Sequence, residues 1–253
     1  MAPARADGVN LELRGVEGLP EIHPGDDLAA LIFEQSGALH DGDVVVVAQK
    51  VVSKSEGRIR RLSEVSPSAQ ALQLAPGLDA DPRMVQVVLD ETARIVRADR
   101  VLIVETHQGF VCANAGVDRS NMDGKDDVCL LPVDCDASAR VLRERVEALA
   151  GARVGVIISD TFGRAWRMGL VNVALGVSGL PAMLDYRGQP DDFGMPLQAT
   201  VVAIADELAA AAEIVMGKTR RVPVVVVKGL GELDGVPGSG QELVRPSELD
   251  LFR

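Results

Sequence analysis

Aromatic residues are almost missing from this chain: one Trp, one Tyr and five Phe among 253 residues. A chain of this length buries a sizeable core, and here that core has to be built from Val, Leu, Ile and Ala. Cysteine is equally sparse. Cys112, Cys129 and Cys135 are odd in number and fit no zinc or haem spacing, so a reduced, cytoplasmic protein is expected. The three histidines, His23, His40 and His107, are far apart in sequence and read as surface or packing residues. Positive charge is in deficit, with 26 Lys and Arg against 37 Asp and Glu and a net charge of −11. Such a chain repels nucleic acid and anionic membrane at long range, although a local site of cations and divalent metal still suits a phosphorylated ligand. No long apolar run is free of charge. The longest, 199–216, contains Asp206, Glu207 and Glu213 and cannot span a membrane, and the first residues lack the apolar stretch of a signal peptide.

What the sequence does contain is a set of short valine-rich runs. Residues 44–47, 101–104, 154–158 and 222–227 read as buried strands, Pro223 marking a strand start or an edge. Helical patterns fall between them. Pro24-Gly25-Asp26-Asp27 caps a helix from Leu28, and residues 84–96 repeat apolar side chains at helical spacing. Asp136-Ala137-Ser138 opens a third helix through Leu149, and 203–216 forms a fourth that Gly217 ends. The interspersion indicates an α/β or α+β protein in a single domain over 1–253, without the regular alternation of a doubly wound sheet. Residues 105–135 and 159–200, rich in Gly and Asp, read as irregular, functional stretches.

General motifs fail. Met216-Gly217-Lys218-Thr219 imitates the end of a phosphate-binding loop, but Ala212 stands where a glycine is needed, and the order is helix, loop, strand. Gly229-Leu230-Gly231 lacks both its third glycine and a following helix. Residues 118–127 fail as a calcium loop because Met122 takes a ligand position.

Four polar constellations remain. Residues 50–58, Lys-Val-Val-Ser-Lys-Ser-Glu-Gly-Arg, place cations and hydroxyls after a strand, either for an anion or as a solvated basic turn. Residues 114–121 offer Asp118 and Asn121 around Gly116, for a metal or ligand or as an ordinary Asx turn. Residues 159–167, Ser-Asp-Thr-Phe-Gly-Arg-Ala-Trp-Arg, put Asp160 and a hydroxyl at a strand end, suited to Mg²⁺ or Mn²⁺, with Arg164 and Arg167 available for phosphate or carboxylate oxygens. The alternative is a turn with exposed arginines. Asp185 to Gly194 forms the fourth.

In this order, together with Gly18-Leu19-Pro20-Glu21-Ile22 and Leu131-Pro132-Val133-Asp134, these segments resemble the coenzyme F420-0:γ-glutamyl ligase family over nearly the whole chain. The resemblance implies an unusual two-lobed α+β architecture and a homodimer with GTP sites near the subunit contact. It implies a cytoplasmic ligase that uses GTP to add L-glutamate to F420-0, a phosphorylated deazaflavin, through an acyl phosphate. It matches Leu19, Pro20, Glu21 and Ile22, Gln49, Lys54, Asn121, and Met216, Gly217, Lys218 and Thr219 to nucleotide contacts. Asp118, Asp160 and Thr161 match ligands of two divalent ions, Mg²⁺ or Mn²⁺, with K⁺ as a further candidate ion. Asp118, Asp160 and, on our own assignment, Arg164 are the expected catalytic residues. Two positions depart from the family pattern: Gln49, where a small hydroxyl residue is common, and Lys218, where some relatives have an uncharged amide that this lysine does not replace as a metal ligand. Some relatives carry a further C-terminal reductase-like domain, so the chain is expected to be a stand-alone ligase or the ligase part of such a fusion. A metal-dependent GTP or phosphate-ester hydrolase and a non-catalytic GTP sensor are the competing readings.

Overall fold

The computed structural model describes residues 10–120, 124, 126–231 and 236–250. In chain order its elements are β1 (Glu12–Gly15), α1 (Leu28–Ser36), β2 (Val44–Ala48), α2 (Gln49–Ser55), β3 (Ile59–Arg61), α3 (Ala69–Leu78), α4 (Pro82–Asp90), β4 (Thr92–Asp99), β5 (Val101–Thr106), β6 (Val111–Ala113) and β7 (Asp127–Cys129). They continue with α5 (Cys135–Ala150), β8 (Gly155–Gly163), β9 (Leu170–Ser178), β10 (Leu184–Asp185), β11 (Val201–Val202), α6 (Ile204–Met216) and β12 (Val224–Lys228).

The main sheet has the order β1-β12-β2-β8-β9. Only β2 and β8 pair in parallel; the other neighbours are antiparallel. Val44–Val47 and Val224–Val227 are buried along their whole length. Such strands read as continuous valine runs because both faces are covered. Val45, Val47, Val156, Ile158, Val224 and Val226 pack against Leu28 and Ile32 of α1 and Ala139, Leu142 and Val146 of α5. Val44, Val46, Ile157, Val225 and Val227 pack beneath Ala205, Leu208, Ala209 and Ala212 of α6. Each buried valine contributes about 1.5–2 kcal/mol of transfer free energy, so the two valine strands anchor the molecule.

Residues 59–130 build a separate apolar cluster. Val87 and Val88 of α4 meet Leu102 and Val104 of β5, Val128 of β7, and Leu62, Val117 and Leu130. Around it lie the antiparallel sheet β4-β5-β6 and the β3-β7 pair. The fold is therefore mixed, with several sheets, as the α+β expectation holds.

Several sequence expectations are corrected. The helix read over 84–96 stops at Asp90, and residues 92–99 form β4 against β5. Thr92, Ile95 and Val96 are β-branched, and pairing with the β5 edge outweighs the helical spacing. The third helix is capped by Asp134, whose carboxylate accepts from Ala137 N at 2.9 Å, and not by Asp136. The basic turn at 50–58 is mostly the helix α2. Inside the stretches read as irregular lie β6, β7, β9 and the extension of β8 to Gly163.

Candidate active site

The topology collects the polar segments at one end of the main sheet. β1, β2 and β8 run in one direction and β12 in the other. The chain leaving β1, β2 and β8, and the chain entering β12, therefore meet at the same end. That brings together residues 16–22, α2, the end of β8 and residues 216–223. Open sheets place ligand sites outside the carboxyl ends of their strands for this reason.

α2 begins directly after β2, and Lys50 and Lys54, four apart, lie on one helical face. Lys54 is buried and ion-paired with Glu21. Gln49, also buried, accepts a hydrogen bond from Ser53 Oγ at 2.7 Å. Lys50 Nζ reaches Asp118 Oδ2 at 2.6 Å, Ser120 Oγ at 2.6 Å and Ser120 O at 3.1 Å. Ser120 returns two further bonds to Asp118, from its backbone N at 2.8 Å and its hydroxyl at 2.6 Å.

Asp118 is delivered by an unusual turn. Asn114, Ala115 and Gly116 have φ of 51°, 52° and 70°, a left-handed run that side chains disfavour. Gly116 also has no room for a Cβ, which would stand 2.8 Å from the Leu131 side chain. Two backbone bonds to Cys129, 3.0 and 2.8 Å, then pin Asp118 to the end of β7. Burial pushes the Asp118 carboxyl up, but the bonds from Lys50 and Ser120 outweigh it and hold it below the usual range.

On β8, Asp160 and Thr161 point to opposite faces. Thr161 Oγ1 donates to Asn172 Oδ1 at 2.6 Å and accepts from Lys218 Nζ at 2.6 Å, while Lys218 also pairs with Glu213 at 2.7 Å. Burial pushes Asp160 up to about 6, and the negative charge of Asp118 adds to it; the Thr161 N–H, Lys50 and Lys218 pull the other way. Two carboxylates that feel each other, with two lysines beside them, form a phosphate- and metal-type constellation.

Other expected residues are distributed differently. Ile22 is buried in the core beneath α1 with Leu19 against it, and Met216, the last residue of α6, is buried against the main sheet, so these side chains are occupied by packing. Pro20 and Thr219 are both exposed. Gly217 ends α6 at φ 57°. Arg164 sits in the β8–β9 turn and donates to Met168 O at 2.6 Å. Asn121 lies outside the described residues. Lys50 and Ser120 lie in the polar segments 50–58 and 114–121, but no individual role was expected of either; the four-residue spacing of Lys50 and Lys54 was the available signal for the first.

The donors at Asp118, Asp160, Ser120 and Thr161 are all hard oxygens, which suits Mg²⁺ or Mn²⁺. Among the described residues no three Asp, Glu, His or Cys side chains converge on one point. A divalent ion here would have to complete its shell with phosphate oxygens and water, as Mg²⁺ commonly does. On that basis the residues fit such an ion. The cysteines do not take part: burial pushes Cys112 and Cys135 up to about 12 and raises Cys129 as well.

The family model described as F420-0:Gamma-glutamyl ligase matches residues 18–229. The chain is 45% identical to a protein of Methanothermobacter thermautotrophicus named Coenzyme F420:L-glutamate ligase, over 97% of this chain and 100% of that one. Proteins of the same name from Methanocaldococcus jannaschii and Methanopyrus kandleri are 43% and 47% identical, covering 96% and 92% of this chain and 97% and 94% of theirs. With matches spanning almost its full length, the chain belongs to the F420-0:γ-glutamyl ligase family, a family of ligase enzymes.

Proposed function

We propose that the protein joins L-glutamate to F420-0 at the expense of GTP, and extends the product with further γ-linked glutamates. The observation that supports this most is the meeting of Lys50, Asp118, Asp160 and Lys218 at the carboxyl end of β2 and β8. A carboxylate does not condense with an amine unaided, because its oxygen leaves poorly. Transfer of the GTP γ-phosphoryl group to the acceptor carboxylate yields an acyl phosphate and GDP. The glutamate α-amine then attacks the acyl carbon, loses a proton, and expels inorganic phosphate.

Phosphoryl transfer depends on positioning and charge neutralisation rather than on protein covalent chemistry. Lys54, Lys50 and Lys218 would supply the positive charge, and Glu21 would hold the Lys54 ammonium in place. Glu21 with its neighbours Leu19 and Pro20, and residues 216–219 across the same sheet end, would flank the nucleotide. Asp118 and Asp160, with Thr161, would hold Mg²⁺ or Mn²⁺, which when bound neutralises phosphate charge and aligns the reacting oxygens. The Thr161 hydroxyl is already bonded to Lys218, so its use as a ligand would require the lysine to turn to phosphate. Arg164 would reach the acceptor only by leaving Met168 O. The two-lobed arrangement and a homodimer belong to the same reading.

The test is GTP consumption by purified protein with Mg²⁺ or Mn²⁺, with and without glutamate and F420-0, products being read by mass. Phosphate release that requires both substrates, with product mass rising in glutamate steps, is expected. Release from GTP alone would indicate a hydrolase, and binding without release a sensor; either would overturn the ligase reading.

A further inference from the structure

Beside Asp160 opens a cleft of about 310 Å³ whose residues have no part in the nucleotide site. Its walls include Phe110, Phe162, Val173 and Val244, with Asp206 at one side. The chain has five phenylalanines, and two of them line this one cavity. Phe162 lies two residues beyond Asp160 on β8 and so shares its face, about 7 Å along the strand. Val173 is the cross-strand partner of Asp160. The cleft therefore lies next to Asp160, lined by its strand neighbour Phe162 and its cross-strand partner Val173, and borders β9.

We infer that this cleft is the seat of the acceptor's planar fused-ring system, with the acidic arm of the acceptor running along β8 from Phe162 to Asp160. The inference rests on the ligase reading above and adds the acceptor's position to it. The volume is at the lower end of small-molecule sites, enough for a ring system but not for the whole phosphorylated acceptor. Flat aromatic surface is matched by the Phe rings, which stack with little loss of conformational freedom. Two anionic side chains line the wall, Asp206 and Asp250, and Asp206 is the one set on the helix beside β9. One of the Asp206 oxygens accepts from the backbone N of Ala174 at 2.8 Å. The carboxylate is thereby aimed along the β9 edge, where a ring imide N–H would donate to it. The arrangement excludes the nucleotide from this cleft, since no cation but Arg245, at its rim, lines it to meet a triphosphate.

The test uses the intrinsic fluorescence of the deazaflavin. F420-0, and separately the ribityl deazaflavin that lacks the phosphoryl arm, are titrated into the full chain without glutamate, and GTP affinity is measured in parallel. Phe162→Ala is expected to weaken binding of both deazaflavins at least about tenfold, while GTP affinity stays within about twofold. Val244→Trp, a change at the turn that packs against the cluster around Leu175 of β9, fills the cleft and is expected to do the same, so the outcome does not depend on one variant alone. Under turnover the KM for F420-0 should rise more than kcat falls. If both variants bind the deazaflavins as the parent chain does, the cleft is not the ring site, although ligation by the parent would leave the ligase reading standing. If the parent neither ligates nor binds F420-0, the ligase reading itself fails and the cleft assignment with it.

Discussion

Folding partly removes the Asp160 carboxylate from water, and that burial has a cost in stability. Raising its titration from 3.8 to about 6 disfavours the ionised form by at most about 3 kcal/mol. Water reaching the strand end reduces that to about 1–2 kcal/mol. The sign follows from the direction of the shift. The folded state binds the proton more tightly than the unfolded chain, so its relative advantage is full below pH 3.8 and is lost as pH rises towards 6. Asp160→Asn removes the ionisation. Calorimetry of metal-free protein at pH 7.5 is expected to give a melting temperature about 3–6 °C above the parent, with the difference vanishing near pH 4. The same variant should lose turnover by a factor of at least about 10³, more than the loss of one oxyanion donor. Retention of near-normal turnover would remove Asp160 from the reaction, and an unchanged melting temperature would remove the burial cost. Asp160 was legible because a lone Asp directly after a valine-isoleucine strand needs an explanation. Lys50 was less so, because only the fold shows that its ammonium bridges Asp118 and Ser120.

At the scale of elements, β9 is an edge strand of the main sheet, and its exposed backbone is managed by two carboxylates. Asp206 takes the N–H of Ala174. Asp136 takes Val177 N at 2.8 Å, Gly240 N at 2.6 Å and Gln241 N at 3.3 Å, tying the chain after β12 to the edge. Removing three charge-assisted acceptor contacts with Asp136→Ala should cost about 2–4 kcal/mol, seen as a lower midpoint in urea with little change in slope. Asp136→Asn, which keeps one acceptor oxygen, should recover part of that. A midpoint unchanged in both would show that water replaces the carboxylate freely. Gly176 on the same strand faces the Cys135 carbonyl so closely that a Cβ would lie 2.1 Å from it, and Gly176→Ala should fail to give soluble folded protein in expression trials. Here the limits of sequence reading are physical. The buried runs of β2 and β12, and the buried first half of β8, declare themselves as valine and isoleucine runs. Edge strands such as β4 and β9 mix polar and apolar side chains, because one side or one end is wet. Residues 84–96 show the conflict directly: the apolar spacing fits a helix throughout, yet past Asp90 the chain pairs with β5. Asp136 was read as a helix start because an acidic residue before Ala-Ser resembles a cap; its role is a tertiary one that no local pattern displays.

At the scale of the whole molecule, the apolar surface is not evenly spread. The β8–β9 turn exposes Trp166 and Met168, and the start of β9 exposes Leu170, with Met168 at 94%. A second arm runs from β10 to β11, held by backbone bonds such as Gly188 N to Leu197 O at 2.8 Å, and its tip exposes Phe193 and Met195. A two-stranded arm of this kind is marginal by itself and gains stability when its apolar tip is covered. A net charge of −11 opposes association of two identical chains, so apolar contact has to supply the attraction. Homodimerisation through these tips follows as the expectation. Light scattering should give twice the chain mass of 26.8 kDa at micromolar concentration. Met168→Glu combined with Phe193→Glu places charge on two exposed positions and leaves the core untouched. The pair should give a single-chain mass while the far-ultraviolet circular dichroism stays as in the parent. A parent of single-chain mass would end the dimer expectation. A paired variant that still sediments as two chains would keep the dimer but move its contact away from both tips. The contrast with turnover then separates assembly from chemistry. Arg164 lies in the same turn as Met168 and bonds to its carbonyl, so a monomeric variant that loses activity while retaining GTP affinity would indicate that the partner chain orders this turn over the site.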